Sequence, residues 1–413
     1  MKNLLKGIAL VGIVAVLLAT AVVSACGGGG EKETKTVTLG WLADQTGASS
    51  GAFEEVWMGM KDYVTEMEAT DPIPGVQLKF EVYNTKLEYA RAQQGYQWLM
   101  DKGMDLLLHY DPPEQAMLAA TQADDQMPSL CFCADVETLQ TDYLYAYSVD
   151  YINEGRAIVK YLIKDWWETK GMTTPIKVGA LVMSDMQSGP QYWEGFKAEA
   201  DANPGKIVLK QAQASRTQTG WAGEVGALKG QDAIIFTTVG PASASFLRDI
   251  TAPNSGFQGV LAGTTISALA FWTLIADTVS LSELDGLVLP HAWALWTDET
   301  SYVANMSAML EKYRPSQAAT LKQGTTWESG WTLAHILATL VRNAADKVGS
   351  DKIDKAAMLD ALEGLSLQIE GMPTISLAGS GGNHVFQPNL RMIKYNGTED
   401  SWDNVTDFFY ALP

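Results

Sequence analysis

The stretch VTLGWLADQTGASSGAFEEVWMGMKDYVTEM, residues 37–67, decides the fold class. It opens with an apolar run rich in strand-forming residues and passes through a turn rich in glycine and serine. Apolar side chains then recur at helical spacing, namely Phe53, Val56, Trp57, Met60 and Val64. A strand followed at once by an amphipathic helix is the repeating unit of a parallel α/β sheet.

The same alternation of short strand and helix continues to about residue 263. Parallel sheets built this way carry helices on both faces, so the pattern predicts an α/β protein with two doubly wound α/β/α lobes around parallel central sheets. Short strands are expected over residues 374–409. Helices are predicted over residues 53–67, 89–101, 114–123, 153–170, 192–202, 222–229, 242–250, 300–312, 327–347 and 355–362.

Length and charge narrow the class of protein. The chain has 413 residues, which suggests two domains, and a formal net charge of −19. Because phosphate binding needs clustered lysine and arginine, this charge disfavours a nucleic-acid partner. The acidic surface is interpreted as a means of keeping the chain in solution.

Cysteine and histidine are too few and too scattered for a metal centre or a disulfide framework. Cys131 and Cys133 stand two apart in a predicted strand, where their side chains share one face at a separation too large for an unstrained disulfide. We interpret both as buried thiols. The four histidines show no ligand spacing. We therefore expect neither a metal nor a cofactor.

The N-terminal segment has the features of an export signal. Lys2 and Lys6 precede an almost wholly apolar run at residues 8–23, which is short for a membrane-spanning helix of about 20 residues. The sequence VSAC at residues 23–26 resembles a bacterial lipobox, in which the cysteine is acylated. We expect a signal peptide over residues 1–25, lipidation of Cys26 and a flexible tether over residues 26–35; the alternative is one uncleaved anchor.

An enzyme is the alternative from another class. Residues 47–51, GASSG, match the G-x-S-x-G pattern of serine hydrolases, which makes Ser49 a candidate nucleophile. In such enzymes the serine sits directly at the strand end, whereas about six residues separate it from Leu42 here. We interpret the segment as a turn that presents backbone amides and hydroxyls at the start of a helix, and we expect no enzymatic activity.

Seven segments, in order and spacing, resemble the branched-chain amino-acid-binding proteins of ABC transporters, which have the type I periplasmic binding protein fold. They are VTLGWLADQTG, EVYNTKLEYARAQQGYQWLMDKGMDLLL, MPSLCFCADVETL, YSVDYINEGRAIVKYL, KVGALVMSDMQSGPQYWEGFK, DAIIFTTVGPASASFLRDI and DGLVLPHA. The resemblance implies a three-strand hinge with crossings near Asp150, Pro290 and Thr374. Lobe 1 would comprise residues 36–150 and 291–374, and lobe 2 residues 151–290 and 375–413, with a solute enclosed between them by hinge closure.

The same resemblance implies an unusual solute. In the amino-acid binders of this family, small hydroxyl residues after the third and fourth strands hold the ligand carboxylate, and an acid in the second lobe holds its ammonium. Pro112, Asp135 and Thr265 fall at those places. Proline has no donor, and Asp135 would repel an anion by on the order of several kcal/mol in a poorly hydrated cleft. We therefore do not expect an ordinary α-amino acid.

Aromatic residues are expected to form part of the cleft. Rings suit a planar or apolar solute, or a cation held by ring faces with help from Asp135. For Trp41 and Trp327, core packing and cleft lining are equal alternatives. The residues expected at the ligand are Trp41, Gln45, Phe53, Tyr110, Asp111, Pro112, Cys133, Ala134, Asp135, Tyr151, Gln187, Ser188, Val239, Thr264, Thr265, His291, Trp293 and Trp327.

The sequence thus predicts a monomeric extracytoplasmic lipoprotein, anchored to a bacterial cell membrane, that captures a small organic solute and delivers it to the permease of an ABC importer. One alternative is a receptor domain that reports the solute to a signalling partner. We would expect such a sensor to carry its own transmembrane and signalling segments, and none follows Pro413. The other alternative is a serine hydrolase that uses Ser49.

Overall fold

The computed structural model describes residues 34–47, 49–109, 111–132, 139, 141–377 and 384–411. The predicted signal peptide and the lipobox cysteine Cys26 lie outside the described residues, as do four residues expected at the ligand, Tyr110, Cys133, Ala134 and Asp135. In the part of the chain that the structure describes, no helix is long and apolar enough to cross a membrane.

The first lobe contains a parallel sheet of five strands in the order β2-β1-β3-β4-β5. The strands are β1 (Lys35–Ala43), β2 (Val76–Asn84), β3 (Leu106–His109), β4 (Ser129–Cys131) and β5 (Leu144–Ala146). Helices α1 (Ser50–Thr70), α2 (Tyr89–Asp101) and α3 (Pro112–Asp125) connect the first four strands. Every pairing is parallel, because each helix returns the chain to the same end of the sheet.

The second lobe contains a larger sheet in the order β14-β13-β10-β9-β8-β6-β7. Its parallel part is formed by β6 (Ile176–Met183), β7 (Ile207–Ala214), β8 (Ala233–Phe236), β9 (Val260–Gly263) and β10 (Val288–His291). The last strands pair antiparallel; they are β13 (Asn389–Asn396), β14 (Ser401–Asn404) and β15 (Phe409–Tyr410).

The helices of the second lobe follow the same alternation. They are α4 (Tyr151–Leu162), which continues as a π-helix over Ile163–Thr169, α5 (Ser188–Ala202), α6 (Ala222–Leu228), α7 (Pro241–Thr251) and α8 (Trp272–Ala276). Asp150 caps α4 by accepting a hydrogen bond from the Asn153 backbone N–H at 2.9 Å. Short 3₁₀ turns at Leu269–Phe271 and Leu281–Leu284 flank α8.

After β10 the chain returns to the first lobe. It forms α9 (Ser301–Tyr313), α10 (Ala318–Leu321), α11 (Thr326–Val348), a 3₁₀ turn at Ser350–Lys352, and α12 (Lys355–Glu363), followed by the paired short strands β11 (Ser366–Leu367) and β12 (Ile375–Ser376). Helix α11 crosses α1 with the two backbones in contact. A Cβ atom on Gly59 would lie 2.1 Å from the Trp327 carbonyl oxygen, and one on Gly330 would lie 2.0 Å from that of Val56.

The predicted fold class is confirmed. The predicted helix over residues 89–101 has those bounds, and the other predicted helices are present with ends shifted by a few residues. The predicted helix over residues 153–170 differs in type, because the α-helix gives way to a π-helix at Ile163. The short elements between residues 269 and 284 were not predicted, because they are too brief to show a hydrophobic period.

Candidate functional site

A cavity lies between the two lobes, where the strands of both sheets end. Its volume is about 150 Å³. This is many times the roughly 10–15 Å³ that a cavity needs to hold one water, so there is room for a small organic molecule. Ligands of open α/β sheets bind at the carboxyl ends of the strands. Strands β3, β4, β5, β6, β8, β9 and β10 lead to the lining residues Asp111, Phe132, Tyr147, Met186, Val239, Thr265 and His291, respectively.

Aromatic rings form one wall of the cavity. The rings of Tyr147 and Trp293 stack with centroids 4.0 Å apart and an interplanar angle of 15°. Phe132 meets Tyr147 edge-on at 5.5 Å. Tyr151 and Phe271 line the cavity from the second lobe. Rings from both lobes therefore face the same space, as expected for a site that encloses an apolar or planar group.

The predicted site residues separate into several groups. The cavity is lined by Asp111, Tyr151, Val239, Thr265, His291 and Trp293. Trp41, Phe53 and Trp327 lie in the hydrophobic core of the first lobe instead. Gln45 and Gln187 are exposed, Ser188 and Thr264 are buried outside the lining, and Pro112 is the first residue of α3, next to Asp111.

Several lining residues were not predicted as ligand contacts. Glu154 lies one helical turn after Tyr151 on α4, so the spacing from a predicted residue could have revealed it. Tyr147 follows β5 directly and could have been found by the strand-end rule. Thr325, Thr326 and Ser329 come from the start of α11, which follows no strand, and no local signal in the sequence marks them.

Two buried carboxyl groups line the cavity. Burial raises the pKa of Asp111 to about 7, against the opposing effects of a hydrogen bond from Tyr89 and the charge of Arg216. Burial likewise raises the pKa of Glu154 to about 7, although the Thr265 backbone N–H donates to it at 2.7 Å and the Tyr192 hydroxyl at 3.0 Å. At neutral pH each group is poised to gain or lose a proton.

The contact between Glu154 and Thr265 modifies one expectation. Thr265 was expected to leave the second lobe without an acid for an ammonium group. Its backbone N–H instead holds the Glu154 carboxylate against the cavity. An acid is therefore present at this place, although it comes from α4 rather than from the loop after β9.

His291 lines the cavity as a neutral ring. Its Nε2 atom lies 3.1 Å from the Ala294 carbonyl oxygen and 3.2 Å from Oε1 of Glu328. Burial and the nearby charge of Arg391 lower the pKa of His291 to about 3. Burial also raises the pKa of Glu328 well above its usual value. The two groups consequently meet as an uncharged histidine and an uncharged acid, and not as an ion pair.

Glu114 is the third residue of α3, which begins directly after Asp111, and it is fully buried. Burial raises its pKa to about 8, and the charges of Asp111 and Asp44 act in the same direction. The nearby Thr85 hydroxyl lowers it, but that hydroxyl donates to the Ala43 carbonyl oxygen, and neither Glu114 oxygen has a hydrogen-bond partner among the described residues. The carboxyl is therefore uncharged at neutral pH.

The turn before α1 and the start of α3 offer few donors to an anion. At the start of α1, the backbone N–H groups of Thr46, Gly47 and Ser49 all donate to the buried carboxylate of Asp44. The turn predicted to present backbone amides therefore uses three of them to bind Asp44. At the start of α3, Pro112 and Pro113 have no N–H to offer.

Metal ligation finds no support in this arrangement. Within the ranges that the structure describes, no group of three or more His, Cys, Asp and Glu side chains could hold a metal ion. Cys131 is buried in β4.

The two-lobed α/β architecture and the cleft at the strand ends define a class of solute-binding proteins. Residues 36–399 match the family described as "Periplasmic binding protein". The chain belongs to this family, whose members bind substrates and are not enzymes. A search of the curated proteins gives no significant match.

Solved structures share the fold at low sequence identity. A branched-chain amino-acid ABC transporter protein from Thermus thermophilus with bound valine has a TM-score of 0.77 and 17% identity, over 91% of this chain and 97% of that chain. A fatty acid ABC transporter substrate-binding protein from Thermomonospora curvata has 0.76 and 15%, over 91% and 92%. An ABC transporter solute-binding protein from R. palustris in complex with benzoate has 0.71 and 16%, over 92% and 97%.

Proposed function

We propose that this protein is a lipid-anchored extracytoplasmic solute-binding protein. It captures a small organic solute, other than a standard α-amino acid, in the cleft between its lobes and delivers it to an ABC importer. The observation that carries the proposal is the cavity lined by strand-end residues of both sheets and by the stacked rings of Tyr147 and Trp293. Similar structures hold solutes as different as valine and benzoate, so the fold alone leaves the solute open.

Exclusion of α-amino acids follows from the missing partners for a carboxylate. No lysine or arginine is among the described lining residues, and His291 is neutral. The amides at the start of α1 already bind Asp44, and α3 begins with two prolines. A ligand carboxylate would therefore lose its hydration without a compensating positive charge among the described lining residues.

Closure of the two lobes is supported by direct contacts between them. The hydroxyl of Thr273 on α8 donates to Glu55 on α1 at 2.8 Å. Ala52 of α1 packs with Met183, Val239 and Phe271 of the second lobe. We propose lobes of residues 36–150 with 291–374 and 151–290 with 375–413, which move about the three crossings to admit and release the solute.

Native mass spectrometry of freshly purified protein tests capture of a solute. We expect a bound small molecule that is lost on denaturation, since a closed cleft retains its ligand. Leucine, isoleucine and valine should give no rise in the melting temperature, because a ligand that binds only the native state must stabilise it. A clear rise at micromolar leucine would contradict the exclusion of α-amino acids.

The anchor is tested separately with Cys26→Ser, expressed with its own leader. The wild-type protein should fractionate with membranes and carry lipid mass on its N-terminal peptide, whereas the variant should appear in the soluble fraction. Cys131→Ser is the matched control, because that thiol is buried in β4 and should not alter fractionation. Soluble wild-type protein without lipid mass would refute the anchor and leave solute binding unaffected.

A further inference from the structure

Two hydrogen-bond acceptors on lining residues have no donor. Oδ2 of Asp111 and Nδ1 of His291 are buried and lack a partner among the described residues. Because Nε2 of His291 faces the Ala294 carbonyl oxygen, which can only accept, Nε2 carries the hydrogen and Nδ1 is an acceptor. A buried acceptor without a donor is costly, so such groups in a cleft indicate the polarity of the missing ligand.

Four donors on lining residues, by contrast, are already used inside the protein. The Thr326 hydroxyl donates to Glu55, and the Ser329 hydroxyl donates to the Thr325 carbonyl at 2.7 Å. The Tyr147 hydroxyl donates to the Ser329 carbonyl at 3.3 Å, and the Thr265 backbone N–H donates to Glu154. At these residues the wall has no donor to spare, whereas Asp111 and His291 each carry an acceptor that is unpaired within the described part of the chain.

The charges around Asp111 also favour a cation as the solute. Two acids, Asp111 and Glu154, line the cavity, and no described lysine or arginine does. The groups that face Asp111 are the Tyr89 hydroxyl, Arg216, Glu114 and, through Glu114, Asp44. Arg216 is exposed and lies outside the lining, so it leaves the cavity side of the carboxyl uncompensated. A buried carboxylate is stable only when it is paired.

We propose that the solute is a primary or secondary organic ammonium ion on an apolar or aromatic body, with its N–H groups bonded to Asp111 and His291 and its body against Tyr147 and Trp293. The proposal rests on the proposed function, because it names the substrate class of the same cleft. Ring faces carry negative potential and add to the attraction for an ammonium group. An N–H donor is required, so a quaternary ammonium would leave both acceptors unpaired.

Binding of such a cation is linked to proton release. In the free protein the pKa of Asp111 is about 7, so this carboxyl is partly protonated at neutral pH. An ammonium ion favours the charged form of the carboxyl. Affinity should therefore rise with pH and fall by up to about tenfold per pH unit below 7, while the ligand itself stays protonated. Glu154 titrates in the same range and contributes in the same direction.

Three probes that share a 2-phenylethyl group and differ in the polar group attached to it test the charge preference: phenethylamine, 2-phenylethanol and 3-phenylpropanoate. At about 10 mM, enough to detect a millimolar Kd, we expect the amine to raise the melting temperature, the alcohol to raise it less and the carboxylate to leave it unchanged. Calorimetry of the amine near pH 6.5 in buffers of different ionisation enthalpy should show a released proton. The largest rise with the carboxylate or the alcohol, no rise with the amine, or no proton release would each overturn the proposal.

Asp111→Asn and Glu114→Gln form a matched pair on the same stretch of chain. Asp111 makes no capping hydrogen bond through its side chain, so its replacement should leave α3 intact. Asp111→Asn should lose at least tenfold in affinity for phenethylamine and keep its affinity for 2-phenylethanol, whereas Glu114→Gln, outside the lining, should keep both. An equal loss in the two variants would contradict the assignment. A retained anion in native mass spectrometry would refute the ammonium class and leave the solute-binding function standing.

Discussion

The aromatic side chains near the first sheet belong to two regions with different polar surroundings. In the core behind the sheet, Trp327 donates its indole N–H to Asp62 at 3.0 Å, and Arg314 binds the same carboxylate through two nitrogens at 2.8 and 2.9 Å. At the cavity wall, Tyr147 and Trp293 stand among the buried acceptors of Asp111 and His291, which lack donors among the described residues.

This difference separates a cluster that stabilises the folded protein from a wall whose acceptors are unpaired without a ligand. The Trp327 environment pairs a buried charge completely, as a structural core requires. The wall carries acceptors that cost free energy in the unliganded protein and are met only when a donor enters. The Trp327–Asp62–Arg314 cluster and the cavity wall thus differ in polar pairing, although both contain buried aromatic rings.

Trp327→Ala, a substitution in the core, should have the largest effect on the unfolding free energy. The variant removes a fully buried ring and leaves the Asp62–Arg314 pair without its indole donor, so we expect a loss of about 3–5 kcal/mol of unfolding free energy in urea titrations followed by circular dichroism. Trp193→Ala, on the partly exposed face of α5, is the control and should cost less than half as much. Equal losses of unfolding free energy in the two variants would contradict the larger structural role of Trp327.

Gly330→Ala tests the same core through its backbone. The added methyl group would lie 2.0 Å from the Val56 carbonyl oxygen, so α1 and α11 must separate, and we expect a loss of about 2 kcal/mol or more. Gly51→Ala on α1 meets no atom within 4 Å and should stabilise the protein by about 0.5 kcal/mol, since alanine is the better helix former. Chemical unfolding of both variants measures the difference; a tolerated Gly330→Ala would mean that the crossing is loose.

The unliganded protein should lose stability as the pH rises from 6.5 to 8. This pH dependence tests the buried acids near the cavity wall. Glu114 has a raised pKa, so the folded state holds a proton that the unfolded state releases, and stability falls as pH rises toward 8. His109, His291 and His335 have lowered pKa values and act oppositely, but only below 6.5.

We expect a loss of on the order of 1 kcal/mol across that range, measured as the pH dependence of urea unfolding. Glu114→Gln should reduce the slope, because the amide has no proton to release, while Asp111 and Glu154 continue to titrate in this range. A slope that is unchanged in this variant would show that Glu114 is charged in the folded protein.

Thr273→Ala should have the smallest effect, because it removes one hydrogen bond between the lobes. The loss of its contact with Glu55 should weaken the closed state by about 0.5–1.5 kcal/mol and lower solute affinity by a few-fold, with little change in unfolding. Small-angle scattering of the unliganded protein should show a larger radius of gyration. Thr278→Ala is the control, since its hydroxyl donates to the Leu274 carbonyl within the same lobe; equal effects would contradict the interlobe role.

The fold was predictable because its signals are local and repeated. Each strand and helix up to β9 shows its own period, and the strand-end rule reaches Asp111, Val239, Thr265 and His291 from the amino-acid sequence alone. The core position of Trp41 was also within reach. It shares the face of β1 with Leu39 and Val37, two and four residues earlier, and all three pack in one cluster.

The rest of the site depends on contacts that no local pattern contains. Thr326 and Ser329 reach the cavity because α11 lies across α1, and that crossing depends on glycines far apart in the chain. Helical spacing from Tyr151 points to Glu154, but the hydrogen bond that holds this acid at the cavity forms only when the loop after β9 meets α4. The use of the α1 amides by Asp44 likewise needs the turn's three-dimensional path. Tertiary pairing decides which polar groups remain available.

The position of β13 has a consequence for how the chain matures. Residues 389–396 pair with β10 at residues 288–291, so the second sheet keeps an open edge until the final stretch of polypeptide arrives. An emerging chain could assemble β1 to β5 early, but the second hydrophobic core would be incomplete, and its exposed strand edge would invite wrong pairings. For a protein proposed to be exported, this late completion would keep the nascent polypeptide in a form that a secretion channel can thread.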